Sequence, residues 1–435
     1  MAQIRPFAGI HYARRRDLDL SKVIAPPYDV LDERGKAQLV ARHPHNIVNV
    51  DLPHLPPKTV GPDTFYDGAN INFRAWMSAG ILVRDHRPAL YPYTQSFEHA
   101  GRMHHRRGFV CLVKLSPFGE GHVVPHERTY KAPIEDRLKL MRATRVQLSP
   151  IFGLYSDARN EVTELLYRNQ GRPELSGTLE GVKHDLWSVI DAEVENQVID
   201  MLGHKPVYIA DGHHRYTTAL QYQKEVEQAH GGPLPPPHPA NWCMFVLVGM
   251  QDDGLLILPT HRLIGGLVDF DINRFRAALG NDWELTETPV TADKLAGYVD
   301  TTLHMEAVHT FGLFDGKTRK LYHLRLLNPD ILAPLEPDRS EAWRRLDVAI
   351  VQRHVIDEVL QPKFGGGKEV TRSYTADAAE IVPRVDGHRH QVALLLRPTP
   401  LGALQQLGER GEVMPQKSTY FFPKLATGMV INPLE

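Results

Sequence analysis

Residues 207–220, VYIADGHHRYTTAL, constrain this chain more than any other stretch. Val207, Tyr208, Ile209 and Ala210 form an apolar run that predicts a buried strand. Asp211 and Gly212 end it. His213, His214 and Arg215 then open a segment whose spacing predicts a helix through QYQKEVEQAH. A helix start carries free N–H groups and the positive end of the backbone dipole, which favour phosphate. Gly212 lets the backbone approach a ligand closely. Arg215 can grip phosphate oxygens in a fork, and Asp211 can hold a metal ion or accept a proton. The plainer alternative makes Asp211 a helix cap and the histidines surface residues.

The chain has 435 residues, enough for two or three domains. With 42% hydrophobic and 23% charged residues it reads as a globular protein. A formal charge of −2 gives no bulk attraction to nucleic acid or anionic lipid. Cys111 and Cys243 sit in apolar runs without metal-ligand spacing, as buried free thiols do in a reducing compartment. MAQIRPFAG lacks the apolar core of a signal peptide. The longest apolar run, residues 242–250, falls far short of the ~20 residues of a membrane span. The expectation is a cytoplasmic protein.

Periodicity predicts helices near residues 32–42, 64–79, 134–144, 160–170, 192–202, 271–280, 346–360 and 401–411. It predicts strands at HNIVNVDLP, at SPIFGLYSD and at KHDLWSVID, with two more around an Ala-Gly turn at 100–101. Asp253-Gly254 and Asp315-Gly316 read as hairpin turns. Residues 231–240, GGPLPPPHPA, read as a linker. No internal repeat is evident.

Besides DGHHR, three irregular polar segments stand out. In APPYDV two prolines hold the chain extended and fix Tyr28 and Asp29, or Asp29 caps the following helix. VPHERT joins His126, Glu127 and Arg128 at a strand end, a grouping able to position a general base and bind an anion, or a plain surface loop. Near the C-terminus, MPQKSTYFFPK offers Lys417, Ser418, Thr419 and Lys424 as a phosphate or carboxylate clamp, against the alternative of a packed loop with solvated lysines. FGGGK at 364–368 reads as a flexible loop, and PTHR at 259–262 as a lesser candidate. HExxH, Walker A, GxSxG and post-strand GxGxxG motifs are absent, which argues against a zincin, a P-loop enzyme, an α/β-hydrolase and a dinucleotide-binding domain.

APPYDV, VPHERT, ADGHHRYTTAL, LPTHRL and MPQKSTYFFPK, in this order, resemble a widespread bacterial and archaeal family of uncharacterised proteins that is often labelled ParB-like. The DGHHR turn is similar to the signature of the ParB/sulfiredoxin superfamily. Its free-serine kinases carry a DGH-type turn and an upstream PHE-type motif, matched here by Asp211-Gly212-His213 and Pro125-His126-Glu127. This resemblance implies Glu127 as base or orienter for a substrate hydroxyl, Asp211 as a second acid, and His213, His214 and Arg215 on phosphates. The chain is much longer than such kinases, and MPQKSTYFFPK has no identified counterpart in them.

The resulting expectation is a mixed α/β protein. A ParB/sulfiredoxin-like nucleotide-binding core at 111–230 lies between α/β regions at 1–110 and 241–435, with the last segment returning to the site. Its activity would be phosphoryl transfer from ATP or ADP, with Mg²⁺ on Asp211, to a small hydroxyl metabolite such as free serine. Glu127 and Asp211 would be catalytic. Gly212, His213, His214, Arg215, Lys417, Ser418, Thr419 and Lys424 would bind phosphate or nucleotide, and Tyr28, Asp29, His126 and Arg128 the substrate. The partners would be nucleotide and small molecule, not membrane or nucleic acid, and homo-oligomerisation is compatible with this reading. The rivals are a ParB-like nucleotide-binding regulator without kinase chemistry and a phosphatase using the same site.

Overall fold

WCMFVLVG is continuously apolar, and the strand it forms, Trp242–Gly249, is buried at every position. A strand buried on both faces is a natural sheet centre. In the computed structural model, which describes residues 3–14, 18–385 and 389–435, this strand pairs antiparallel with Arg102–Lys114 and parallel with Ile151–Tyr155. Both of its edges are therefore occupied. The hairpin expected at Asp253-Gly254 consequently does not form. Leu256–Leu258 instead pairs with Tyr420–Phe422, far along the chain.

The chain divides into two units, Met1–Leu255 with Pro423–Glu435, and Leu256–Phe422. In the first, the sheet order is Val123–Val124, Val207–Asp211, Ile151–Tyr155, Trp242–Gly249, Arg102–Lys114, Tyr91–His99, Val182–Leu186 and Leu175–Leu179, and Ile4–Arg5 pairs antiparallel with one end of Arg102–Lys114, off that order. Parallel and antiparallel pairings mix, so the fold is mixed α/β. Tyr91–His99 and Arg102–Lys114 form the expected hairpin around Ala100-Gly101. Arg102–Lys114 runs unbroken through position 110, and the proline-rich 231–240 segment lies inside the first unit, where the Pro235 and Pro236 carbonyls accept from Asn241 and Trp242. Helix His213–His230 packs Tyr216 and Ala219 into the core with Val207, Ile209, Phe245 and Leu247.

One expected strand is a helix. Residues 48–51 of HNIVNVDLP wind into Val48–Asp51. The Asn46 side chain accepts from the Val48 N–H and donates to the Lys22 and Ile24 carbonyls. That local bonding offers the backbone an alternative to a ladder and overrides the β-branched composition.

The second unit carries a fully antiparallel six-stranded sheet in the order Trp283–Glu287, Lys320–Leu326, Thr310–Asp315, Val392–Leu395, His261–Gly265 and Thr371–Thr375. Leu263, Phe314, Leu321, Ala393 and Leu395 pack with Leu295, Val299 and Ile381 into its core. The helix expected at 346–360 is present but underwound over most of its length: Asp347–Ile350 is α-helical and Val351–Leu360 is a π-helix. Among the described residues no helix is long and apolar enough to cross a membrane. Both cysteines are free and buried, as expected.

Gly108 tests the sheet centre. A Cβ there would lie 2.6 Å from the Leu247 carbonyl oxygen and 2.7 Å from Val248 Cγ2, opposite the central strand. Gly108→Ala is expected to lower stability by about 1–3 kcal/mol, the usual cost of overpacking, measured as a lower urea midpoint of the first unit. An unchanged midpoint would show that the two strands separate freely.

Candidate functional site

The DGHHR turn sits where three strands present the same end. Val207–Asp211 runs parallel to Val123–Val124, so residues 125–130 leave the sheet beside Asp211. Ile151–Tyr155 runs antiparallel, so Pro150 enters at that end. The register shifts between Ile209 and Asp211, and a bulge of this kind re-aims the side chain that follows it. Gly212 then takes φ 95°, ψ 25° and opens the 18-residue helix His213–His230. Only glycine adopts that conformation without strain. A Cβ would also lie 3.1 Å from the Arg215 guanidinium.

Asp211 is the electrostatic centre. Its Oδ2 accepts from Lys424 Nζ at 2.7 Å, and Arg215 Nη2 stands 3.9 Å from Oδ1. Burial opposes ionisation of this carboxyl. The charges of Lys424 and Arg215, and the Lys424 hydrogen bond, outweigh it and hold the group well below the usual carboxylate range. Arg215 Nη1 also donates to the Pro150 carbonyl. One guanidinium thus ties the strand end to the helix start.

The two imidazoles take a task different from the expected one. His213 Nε2 accepts the His126 N–H at 3.1 Å, and His214 Nε2 accepts the Tyr130 N–H at 3.1 Å. They pin the 126–130 loop to the helix. His213 is buried, and desolvation together with the neighbouring His126 pushes it well below the ordinary imidazole value. His126 is buried too. Its Nδ1 lies 2.6 Å from the Ile209 carbonyl, which can only accept, so Nδ1 carries the proton. Desolvation lowers its pKa, while Glu127 and Asp211 pull it back. His126 is therefore held as a brace between the loop and the Ile209 carbonyl. Glu127 is half-buried beside it and Arg128 is exposed.

Behind the turn lies a cavity of ≈ 40 Å³ lined by Tyr28, Asp51, Arg137, Ser149 and Arg215 among others, room for a water or two. The Arg137 guanidinium stacks 4.0 Å from the Tyr28 ring centre. It donates to Asp136 through Nε at 2.8 Å and to the Asp51 carbonyl. His54 and Tyr66 complete Asp136 at 2.9 and 2.7 Å. Burial raises the Asp51 carboxyl, against the pull of Arg137 and Arg215. The sequence reading missed Asp51, Asp136, Arg137 and Ser149. The one available signal was the charged pair Asp136-Arg137 on the apolar stripe of its helix.

The expected residues are distributed over both units. Glu127, Asp211, Gly212, Arg215 and Lys424 meet at one sheet end, with Tyr28 on the cavity behind. Asp29 faces Lys58 at 4.0 Å. Lys417, Ser418 and Thr419 belong to the second unit. Ser418 is buried there, with its hydroxyl turned onto the Pro415 carbonyl, which leaves it no capacity to clamp an anion. In PTHR, His261 and Arg262 are likewise buried, with His261 accepting from the Leu396 N–H and Arg262 donating to the Thr260 and Lys417 carbonyls. Among the described residues no group of three or more His, Cys, Asp or Glu side chains converges as a metal site. Asp211 is a single carboxylate facing an ammonium.

Residues 4–349 match the family described as "Protein of unknown function (DUF1015)", and the chain belongs to that family. No curated protein matches. Among solved structures, SbnI with C-terminal truncation from Staphylococcus aureus is 12% identical, with a TM-score of 0.35 over 75% of this chain and 87% of that one. A conserved hypothetical protein from Pyrococcus furiosus is 14% identical, with a TM-score of 0.31 over 72% and 92%. A free serine kinase in complex with AMP is 14% identical, with a TM-score of 0.30 over 69% and 83%. These likenesses are distant.

A carboxyl held below its ordinary range stabilises the fold above that range, and the contribution is lost as pH falls through the folded value. Lys424→Met is expected to cost about 1.5–3 kcal/mol at neutral pH, the range for a charge-assisted hydrogen bond. The gap to wild type should narrow below about pH 4, where the freed Asp211 protonates. Urea unfolding across pH 3–8 measures this, and a gap independent of pH would remove the ion pair as its source.

Proposed function

We propose that the first unit is a nucleotide-dependent phosphotransferase acting on a small hydroxyl metabolite, free serine among the candidates, with a nucleotide-binding core of ParB/sulfiredoxin type. The observation that carries the reading is Asp211, ionised between Lys424 and Arg215 at the mouth of a long helix that Gly212 opens in a left-handed conformation. Phosphoryl transfer needs mainly positioning and neutralisation of charge. The helix N–H groups, Arg215 and Lys424 supply the positive side, and the missing Cβ of Gly212 lets phosphate oxygens approach the backbone.

Glu127 is the base. It stands half-buried on the loop that His213 and His214 pin to the helix, and it takes the proton of the substrate hydroxyl. The substrate oxygen bonds to the terminal phosphorus of ATP or ADP, and the bond from phosphorus to the bridging oxygen breaks toward the nucleotide. Lys424 and Arg215 then balance the charge on the leaving phosphate. Asp211 is the residue that would hold Mg²⁺, an ion commonly bound through one or two carboxylates together with substrate phosphates, and the ion would supply positive charge against the phosphates. Lys424 would then turn from Asp211 to phosphate.

One observation favours a second reading, a nucleotide-binding regulator without transfer chemistry. Asp211 already has a cationic partner, and both buried imidazoles serve structure. Calorimetry with ATP, ADP and CTP, with and without Mg²⁺, tests binding, and phosphorus NMR with serine and other small alcohols tests turnover. Glu127→Gln is expected to lower turnover by at least about 10²-fold, the low end for a general base, with nucleotide affinity unchanged. Gly212→Ala is expected to weaken nucleotide binding. Tight binding with no turnover on any alcohol would favour the regulator. Absence of nucleotide binding would remove both readings.

A further inference from the structure

The second unit holds a groove of ≈ 870 Å³, lined by His309, Glu341, Arg345, Asp347, Arg397 and Arg410 among others. That volume falls in the range of small-molecule sites. We propose that it binds a multiply charged organic oxyanion, the phosphate or carboxylate end of a small metabolite. The proposal is independent of the nucleotide site.

The groove floor is built around Asp347. Its Oδ1 accepts from His309 Nδ1 at 2.8 Å, and its Oδ2 accepts from Arg397 Nη2 at 3.0 Å and Nε at 3.3 Å. A carboxylate only accepts, so Nδ1 of His309 carries the proton and Nε2 is left as the second ring position. The arrangement fixes the tautomer and orientation of the imidazole on the groove wall. His309 does this at φ 58°, a left-handed conformation uncommon outside glycine. Strain of this kind persists where the surrounding structure imposes it, and it clusters at functional sites.

The walls supply positive potential. Ala403, Gln406 and Arg410 line the groove from one face of helix Leu401–Glu409 and its C-cap. The helix begins at Pro400 with no side-chain cap, and Pro398, Thr399 and Pro400 line the groove at that end. Its first N–H groups and dipole therefore favour an anion there. Arg345 is matched by Glu341 and Asp330, and Arg397 by Asp347. Arg410 is exposed and has no ion-pair partner among the described residues, so the groove carries a surplus cation. A dianion would be met by Arg410 at one end, and by Arg397, His309 and the helix start at the other.

The test is calorimetry on the full chain with two probes, pyrophosphate and tricarballylate, which separate phosphate from carboxylate sources of the same charge. Arg410→Gln removes the unmatched cation at the surface. His309→Asn removes the imidazole while keeping a residue that tolerates left-handed backbone. Binding of either probe by the wild type, weakened at least about tenfold in both variants, supports the site. Two results would overturn it. One is no binding of either probe at millimolar concentration. The other is affinity unchanged in Arg410→Gln and His309→Asn but lost in Gly212→Ala, which places the anion in the first unit. Circular dichroism confirms that the variants are folded. If His309→Asn is not, Arg410→Gln decides.

Discussion

Lys424 donating to Asp211 is the contact on which the first unit's site depends, because it joins that site to the C-terminal end of the chain. Lys424 lies at the start of Pro423–Glu435, which belongs to the first unit although 167 residues of the other unit precede it. The segment is held at several points along its length. Arg106 donates to the Pro423 carbonyl, and Gln95 donates to the Lys424 carbonyl. Thr427 exchanges backbone hydrogen bonds with Ala25, and Ile431 with Ile10, while the Asn432 side chain donates to Gln147. Each bond fixes the segment against a different part of the first unit, so the Lys424 ammonium arrives at Asp211 from a rigid mount. A long side chain mounted this way loses less freedom on pairing than one on a mobile loop.

Unpaired buried charge is costly, and the first unit avoids it by sharing. Arg137 meets two carboxylate residues and an aromatic face, Asp136 meets three donors, and Arg215 divides itself between Pro150 and Asp211. The histidines contribute by staying neutral. A charged His213 would be desolvated and would face two other imidazoles, His126 and His214, and the Arg215 guanidinium, which outweigh Asp211 and lower its pKa. Its neutrality has a consequence for the helix start. The positive potential there comes from Arg215, Lys424 and the backbone, and it does not switch off across the physiological pH range as an imidazolium would.

The sequence made legible what is local. The strand, the glycine and the helix of residues 207–230 follow from an apolar run, a residue free to take positive φ and a 3.6-residue spacing, and they stand as expected. The Tyr91–His99 hairpin was legible in the same way. Non-local pairing was not. Nothing in the Asp253-Gly254 turn says that Trp242–Gly249 already has two neighbours. Nor does the β-branched content of residues 47–50 reveal that Asn46 will bond to Lys22 and Ile24. The site divides on the same line. The motif that holds Asp211 was visible, and its partner Lys424 was visible within a polar irregular segment, whereas Arg137 left only the trace of a charged pair on an apolar stripe and Asp51 was indistinguishable from a surface charge.

The two units place charge at a helix start by different means. In the first, a glycine opens the helix and a carboxylate sits at its mouth under two cations, so an incoming anion must compete with Asp211 for Lys424. In the second, Asp347 lies on the floor, matched by His309 and Arg397, and the unmatched charge is Arg410. Competition with an internal carboxylate lowers affinity but ties binding to a rearrangement of that carboxylate, as transfer chemistry with a metal ion requires. An unmatched cation in the same groove as a fixed imidazole asks for no rearrangement, as suits a site that only holds its ligand. The physical difference between the two proposed sites is therefore whether the anion's place is already taken by a group of the protein.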